Sequence, residues 1–212
     1  QARLGKHGLP KPWVLALVHR GGFDLVVRLT LFGYAIDWAG VVAHALVAAL
    51  RSRIDWRERA PTLFLPAPQV ARLEVREAMP PRLPSPRPVV ALEFVTPLDA
   101  AGDDPLDRPA TVIGRLARRV DLLARWMGIA IDADWPALAA HWHDLAYDAS
   151  ALSRRVLDRR SGRQRRDFRH DLVAGSLVVA GDLAPVWPLL VLGQSSNIGR
   201  GATAGLGRYR LA

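Results

Sequence analysis

The sequence contains no cysteine, which excludes disulfide bonds and cysteine-ligated zinc. Lysine is almost missing as well: Lys6 and Lys11 are the only two. Aromatic residues make up 7% of the chain, an ordinary share for a globular protein. No apolar run approaches the ~20 residues that span a bilayer. The longest, Trp38 to Leu50, includes His44 and reads as a buried helix. No stretch has the form of a secretory signal, so a cytoplasmic protein without a membrane partner is expected.

What is present is arginine, unevenly placed. The 212 residues carry a net charge of +9. Residues 151–212 hold eleven arginines against Asp158, Asp167, Asp171 and Asp182, so most of that charge lies in the last third. Arginine presents a planar, bidentate fork suited to phosphate, but a GC-rich genome gives the same preference with no functional meaning. A localised basic field does bear on partners, and points to nucleic acid or an anionic lipid surface. No helix pairs exposed Trp or Phe with basic residues as interfacial helices do, which disfavours lipid.

Two stretches concentrate the signal. Arg154 to Arg169 contains eight arginines in sixteen residues and suits a β-hairpin or the rim of a loop. Gly193 to Tyr209 is glycine-rich with Arg200 and Arg208 interleaved. Glycine lets backbone approach a ligand closely, and exposed amides with arginines favour phosphate. The candidate binding residues are therefore Arg160, Arg163, Arg165, Arg166, Arg169, Arg200 and Arg208, with Gly199, Gly201, Gly205 and Gly207.

Periodicity and punctuation give an α+β order. Strands are expected at 13–19 and 23–32, then a helix from Trp38 to Ser52 capped by Asp37, then short strands at 62–65 and 71–77. Met79 to Pro88 holds five prolines in ten residues and reads as a linker, with a domain boundary near residue 85. The second half restarts with a strand at 89–95. A helix follows at 111–127, with Val112, Leu116, Val120, Leu123 and Met127 on one face; Arg115, Arg118, Arg119 and Arg125 are assigned to solvent. Trp135–Ala146 is a further helix, 172–179 a strand and 183–192 a short helix. The glycine-rich loop and a final strand end the chain. Strand, helix, strands, helix, strand suits a ferredoxin-like unit, and the first half resembles the tail of another.

Four motifs in order resemble one family. They are Gly181-Asp182-Leu183, Pro188-Leu189-Leu190, Gly199-Arg200-Gly201 and Gly205-Leu206-Gly207-Arg208-Tyr209. Arg160-Ser161-Gly162-Arg163-Gln164, Phe94 to Leu98 and Leu29 to Ala35 add to them. Together they are similar to the CRISPR-associated RNA-processing endoribonucleases of the repeat-associated mysterious protein (RAMP) superfamily.

The resemblance implies two tandem ferredoxin-like (RRM-like) domains, at 1–85 and 86–212. The first is read as incomplete, since the family's opening strand and helix have no counterpart here. It also implies binding of hairpin CRISPR repeat RNA and metal-independent cleavage by the ribose 2′-hydroxyl, leaving a 2′,3′-cyclic phosphate. No cofactor or metal is implied, and other CRISPR effector subunits are implied as partners. A non-catalytic subunit that binds guide RNA is the alternative.

Such cleavage needs a general base, a general acid and cationic stabilisation of the phosphorane. Histidine suits the first two roles near neutral pH. His170, which ends the arginine run, and His44, on the first-half helix, are the catalytic candidates. His141 and His143 lie two apart on different helix faces and form no metal set. His7 and His19 have no supporting context. Tyr34 and Tyr209 suit either a phosphate contact or the edge of the core.

Overall fold

Eleven residues, Val89–Asp99, form the strand β3 on which the larger part of the fold is built; its apolar, β-branched composition favours an extended, half-buried backbone. The computed structural model describes residues 10–21, 24–51, 72–77, 83–100, 102, 104–161 and 166–212. Contacts group them into two compact units, one of residues 1–33 with 81–212 and one of residues 34–80. This grouping differs from the expected division at residue 85, since residues 1–33 go with 81–212.

The larger unit opens with an antiparallel hairpin, β1 (Trp13–Gly21) and β2 (Asp24–Leu31), in register from Trp13 opposite Leu31. A five-stranded antiparallel sheet follows. It comprises β3, β4 (Ala146–Asp148), β5 (Leu152–Ser161), β6 (Arg166–Ala180) and β7 (Tyr209–Leu211). β6 and β7 flank β3, while β4 and β5 pair with successive parts of β6 on its other side. The helices are α2 (Thr111–Ala124), α3 (Trp135–Asp144) and α4 (Trp187–Ser196). This is a mixed α+β fold.

Alternation along β3 and β6 sends one face to the helices. Val90, Leu92 and Leu98 join Val173, Leu177 and Val179 in a core with Ile113 and Leu116 of α2 and Leu190 of α4. Leu92, Leu98, Ile113, Leu116, Leu177 and Leu190 are all under 2% exposed. Each such side chain contributes about 1.5–3 kcal/mol relative to exposure. Two indoles tie irregular chain to this body: Trp126 Nε1 donates to the Pro10 carbonyl at 2.7 Å, and Trp187 Nε1 to that of Pro84 at 2.6 Å.

Several sequence expectations need correcting. The helix expected to reach Met127 stops at Ala124. A 3₁₀ turn over Arg125–Met127 ends at Gly128 (φ 67°), which turns Met127 away from the core to 45% exposure. α3 ends at Asp144, because Ala146–Asp148 pairs with β6 instead. α4 starts later and runs further than expected. Pro188 fits its first turn, and Gly193 to Ser196 are helical rather than loop.

A 3₁₀ turn over Gly33–Trp38 begins at the last residue of the first segment and leads into α1 (Ala39–Arg51) of the smaller unit. The helix is not the buried one expected, since Trp38 and Val41 are 62% and 63% exposed. A unit this small cannot cover every side of a helix. Residues 72–77 are exposed and irregular rather than a strand. The strand expected at 62–65 lies outside the described residues, as do 79–82 of the proline-rich linker; 83–88 are exposed.

Candidate functional site

The arginine run is a long β-hairpin. β5 and β6 stay in register from Leu152 opposite Gly175 to Ser161 opposite Arg166. Residues 162–165, with Arg163 and Arg165, lie outside the described residues. Arg160 stands opposite Asp167, and Arg169 opposite Asp158, in the backbone register; the side chains of Arg160, Arg166 and Arg169 also lie outside the description.

At the base of this hairpin β6 brings His170 to β3. The β3–β6 register is interrupted between Phe94 and Leu98, then resumes with Leu98 opposite Val173 and Asp99 opposite Leu172. Leu98 enters the helical core, so Asp99, one residue on, projects from the other face, the face of Leu172 and His170. Asp99 is 2% exposed. Its Oδ2 lies 3.6 Å from His170 Nδ1 and 3.9 Å from Arg200 Nε, and Arg115 Nη1 donates to its backbone carbonyl at 2.6 Å. A buried carboxylate is tolerated only where positive or hydrogen-bonding groups face it, which this cluster supplies. The His170 side chain is 21% exposed and that of Arg200 69%, so both reach the surface while their anchor does not.

The glycine-rich segment delivers Arg200. The register break frees residues 95–97 of β3 from β6, and the loop takes their hydrogen bonds. Val95 N and Thr96 N donate to the Arg208 carbonyl, Gly207 N donates to that of Pro97 at 2.8 Å, and Thr96 Oγ1 donates to that of Gly205 at 2.7 Å. Gly199, Gly201, Gly205 and Gly207 all have positive φ. At Gly207 the requirement is strictest: a Cβ there would lie 2.1 Å from the Ile198 carbonyl oxygen. At Gly205 it would meet the Leu15 carbonyl of β1 at 2.7 Å, so the hairpin packs directly on the loop.

Other candidates are placed differently. His44 sits exposed on α1, its Nδ1 donating to the Gly40 carbonyl at 2.7 Å. That carbonyl can only accept, so Nδ1 carries the hydrogen and Nε2 is the basic nitrogen. His141 Nε2 is bonded to the Asp182 carbonyl at 2.6 Å, a tie between α3 and the turn before α4. His143 is exposed, and nothing is described of His7 or of the His19 side chain. Tyr34 is exposed. Tyr209 is not at the core edge but inside it, 2% exposed, its hydroxyl donating to the Leu190 carbonyl at 2.5 Å; burial pushes that hydroxyl's pKa well up.

Of the arginines assigned to solvent, Arg118 and Arg125 are exposed, but Arg119 is 7% exposed. Its Nε donates to the Ser196 carbonyl at 3.1 Å, at the C-terminal end of α4, where a cation is favourable. Burial lowers its pKa, and among the described residues Nη2 has no hydrogen-bond partner.

Sequence reasoning missed Asp99 and the inward turn of Arg115 and Arg119. A carboxylate directly after the apolar run Val89–Leu98 was the available signal for Asp99. Nothing in the spacing of the α2 arginines separates the buried from the exposed. Among the described residues no group of three or more histidine, aspartate or glutamate side chains is placed to hold a metal ion. Likewise no described helix is long and apolar enough to cross a membrane.

No curated protein sequence matches the chain significantly. Two solved structures share its fold. Thermus thermophilus Cas6 superposes with a TM-score of 0.55 at 16% identity, over 95% of this chain and 79% of that one. A Cas6 product complex gives 0.57 at 20% identity, over 97% of this chain and 84% of that one. The model of the family described as CRISPR-associated endoribonuclease Cas6 matches residues 92–209, which take in most of β3, the arginine hairpin, the Asp99 cluster and the glycine-rich loop. By that match over more than half its length, the chain belongs to the Cas6 family of CRISPR-associated endoribonucleases.

Proposed function

We propose that this protein binds hairpin CRISPR repeat RNA and cleaves it without metal at the Asp99–His170–Arg200 cluster. The observation that carries the assignment is an imidazole and a guanidinium that both reach the surface and both lie within 4 Å of one buried carboxylate oxygen. With Nδ1 directed to Asp99, His170 keeps Nε2 for the substrate. That nitrogen takes the proton from a ribose 2′-hydroxyl, the 2′-oxygen attacks the adjacent phosphorus, and the bond to the 5′-oxygen breaks. The products are a 2′,3′-cyclic phosphate and, once the leaving oxygen takes a proton from water, a 5′-hydroxyl. Arg200 stabilises the charge that builds on the phosphorane oxygens. Asp99 orients the imidazole from beneath, its Oδ2 3.6 Å from Nδ1.

Arg160, Arg163, Arg165, Arg166 and Arg169 of the hairpin, with Arg208, Gly199, Gly201, Gly205 and Gly207 of the loop, contact the RNA backbone. Double-stranded RNA is read mainly through phosphates and shape, for which guanidinium groups on a long ribbon are suited. The order β3–α2–β5–β6–α4–β7, with β3 and β6 central, supports a ferredoxin-like fold for the larger unit. The tandem arrangement, with a first partial domain at 1–85, is proposed from the family resemblance alone; the contacts group residues 1–33 with the larger unit. His44, with a basic Nε2 on an exposed helix, is the second catalytic candidate.

The test is a labelled repeat hairpin incubated with the protein in EDTA, beside an RNA with 2′-deoxy at the cut site. A single cut that needs the 2′-hydroxyl, is lost in His170→Ala and persists in His44→Ala is the expected result. Loss in His44→Ala alone moves the catalytic role to that residue. RNA bound tightly but never cut makes the protein a guide-RNA-binding subunit and overturns the enzyme reading.

A further inference from the structure

A cavity of about 590 Å³ beside α2 plays no part in the cleavage just described. Its lining combines three guanidinium-bearing residues, Arg108, Arg115 and Arg118, with Trp142, His143 and Tyr147. None of the described residues that line it is acidic. The indole of Trp142 forms the aromatic wall and lies against α2 at Gly114, its Cζ2 3.6 Å from where a Cβ would stand, an ordinary contact distance. Tyr147 closes against the same segment, its hydroxyl donating to the Trp142 carbonyl. Trp142 is buried and Tyr147 half-buried, whereas Arg108, Arg118 and His143 are exposed. Cationic groups thus rim a cavity with an apolar, aromatic interior, in the size range of small-ligand sites.

An inorganic anion has no use for the apolar wall, and an apolar ligand has none for three arginines. A nucleotide uses both: its phosphate takes charge-assisted hydrogen bonds from guanidinium groups, and its base or ribose covers aromatic carbon. We propose that this cavity binds one nucleotide unit, phosphate toward Arg108 and Arg118, base or ribose toward Trp142 and Tyr147. Arg115 joins it to the Asp99 cluster, since the same side chain lines the cavity and donates to the Asp99 carbonyl. A nucleotide held there belongs to the single-stranded chain beside the hairpin or is a free mononucleotide. The first source rests on the RNA-binding reading above; the second does not.

The experiment measures affinity for the repeat hairpin with and without short single-stranded extensions at both ends, and for adenosine 5′-monophosphate, in the wild type and in Arg118→Ala. Arg118 is exposed, so its replacement leaves the core intact, and the ratio of the two RNA affinities is an internal control for folding. The extension is expected to tighten wild-type binding about tenfold, and Arg118→Ala to abolish that gain. If the mononucleotide binds in an Arg118-dependent way while the extension adds nothing, the site holds a free nucleotide. If neither the gain nor mononucleotide binding depends on Arg118, the cavity proposal is wrong. Failure of the wild type to bind any hairpin sinks the RNA reading instead, and leaves the mononucleotide arm to judge the cavity.

Discussion

Asp99 and His170 stand on neighbouring strands with Oδ2 and Nδ1 3.6 Å apart, the carboxylate buried and the imidazole one-fifth exposed. Strand register produces the relationship: Asp99 faces Leu172, and His170 is the next residue of β6 on the same face. If His170 performs the proton transfer, His170→Ala lowers kcat by about 10²–10⁴-fold with little change in KM. Asp99→Asn, which keeps the shape and removes the charge, lowers kcat by a smaller factor, again with KM held. Single-turnover cleavage of the repeat hairpin separates the two parameters. A rise in KM at constant kcat in either variant would assign the pair to RNA binding alone.

Gly207 has no tolerance for a side chain. Its φ of +67° and the Ile198 carbonyl 2.1 Å from an ideal Cβ combine backbone strain with a clash against main chain. Gly207→Ala is expected to cost about 1–3 kcal/mol from the backbone conformation alone, read as a lower thermal midpoint. Gly40 on α1 has nothing within 4 Å of its Cβ position, and Gly40→Ala is expected to be neutral or stabilising by about 0.5–1 kcal/mol. Equal effects at the two positions would contradict the loop geometry.

Arg119 holds the C-terminal end of α4 from inside the protein. Arg119→Ala strands the Ser196 carbonyl and empties the space of the side-chain stem, at a cost of about 1–3 kcal/mol for the unmet carbonyl. Arg119→Met keeps most of the stem and removes a buried charge, so it is expected to lose less. Urea unfolding at unchanged m-value checks both. An Arg119→Ala protein as stable as the wild type would show that the hydrogen bond is balanced by the cost of burying the charge.

Tyr209 is a structural residue. Tyr209→Phe removes the hydroxyl bonded to Leu190 and is expected to cost about 0.5–1.5 kcal/mol. Cleavage per folded molecule stays at the wild-type level. A large fall in kcat at unchanged stability would return Tyr209 to the chemistry.

The sequence made some of this legible and not the rest, for physical reasons. The arginine run suits a β-hairpin or a loop rim because its arginines alternate irregularly with small and polar residues, and β5–β6 is a hairpin. The glycine spacing marks a loop whose backbone enters the left-handed region, and all four candidate glycines do so. The burial of Arg119 and the inward reach of Arg115 were not legible. α2 is amphipathic in either case, and only the position of the α4 C-terminus and of Asp99 decides which arginines turn inward. Asp99 escaped because its partners come from three separate elements, β6, α2 and the glycine loop, that local pattern cannot bring together. Met127 followed the helical period but not the helix, which stopped one turn short of it.

The exchange of partners along β3 has a consequence for how the glycine-rich loop behaves in time. Residues 95–97 give up β6 and hold the loop instead, through bonds from Val95, Thr96 and Gly207. Lifting the loop away would therefore unzip the middle of the strand on which the core is built. The Gly207 and Arg208 amides, bonded to Pro97 and Thr96, are expected to exchange only with the opening of β3, rather than to fray as those of a surface loop do. The glycines here supply curvature rather than motion. Arg200 is thus offered to a ligand from a support as long-lived as the fold itself.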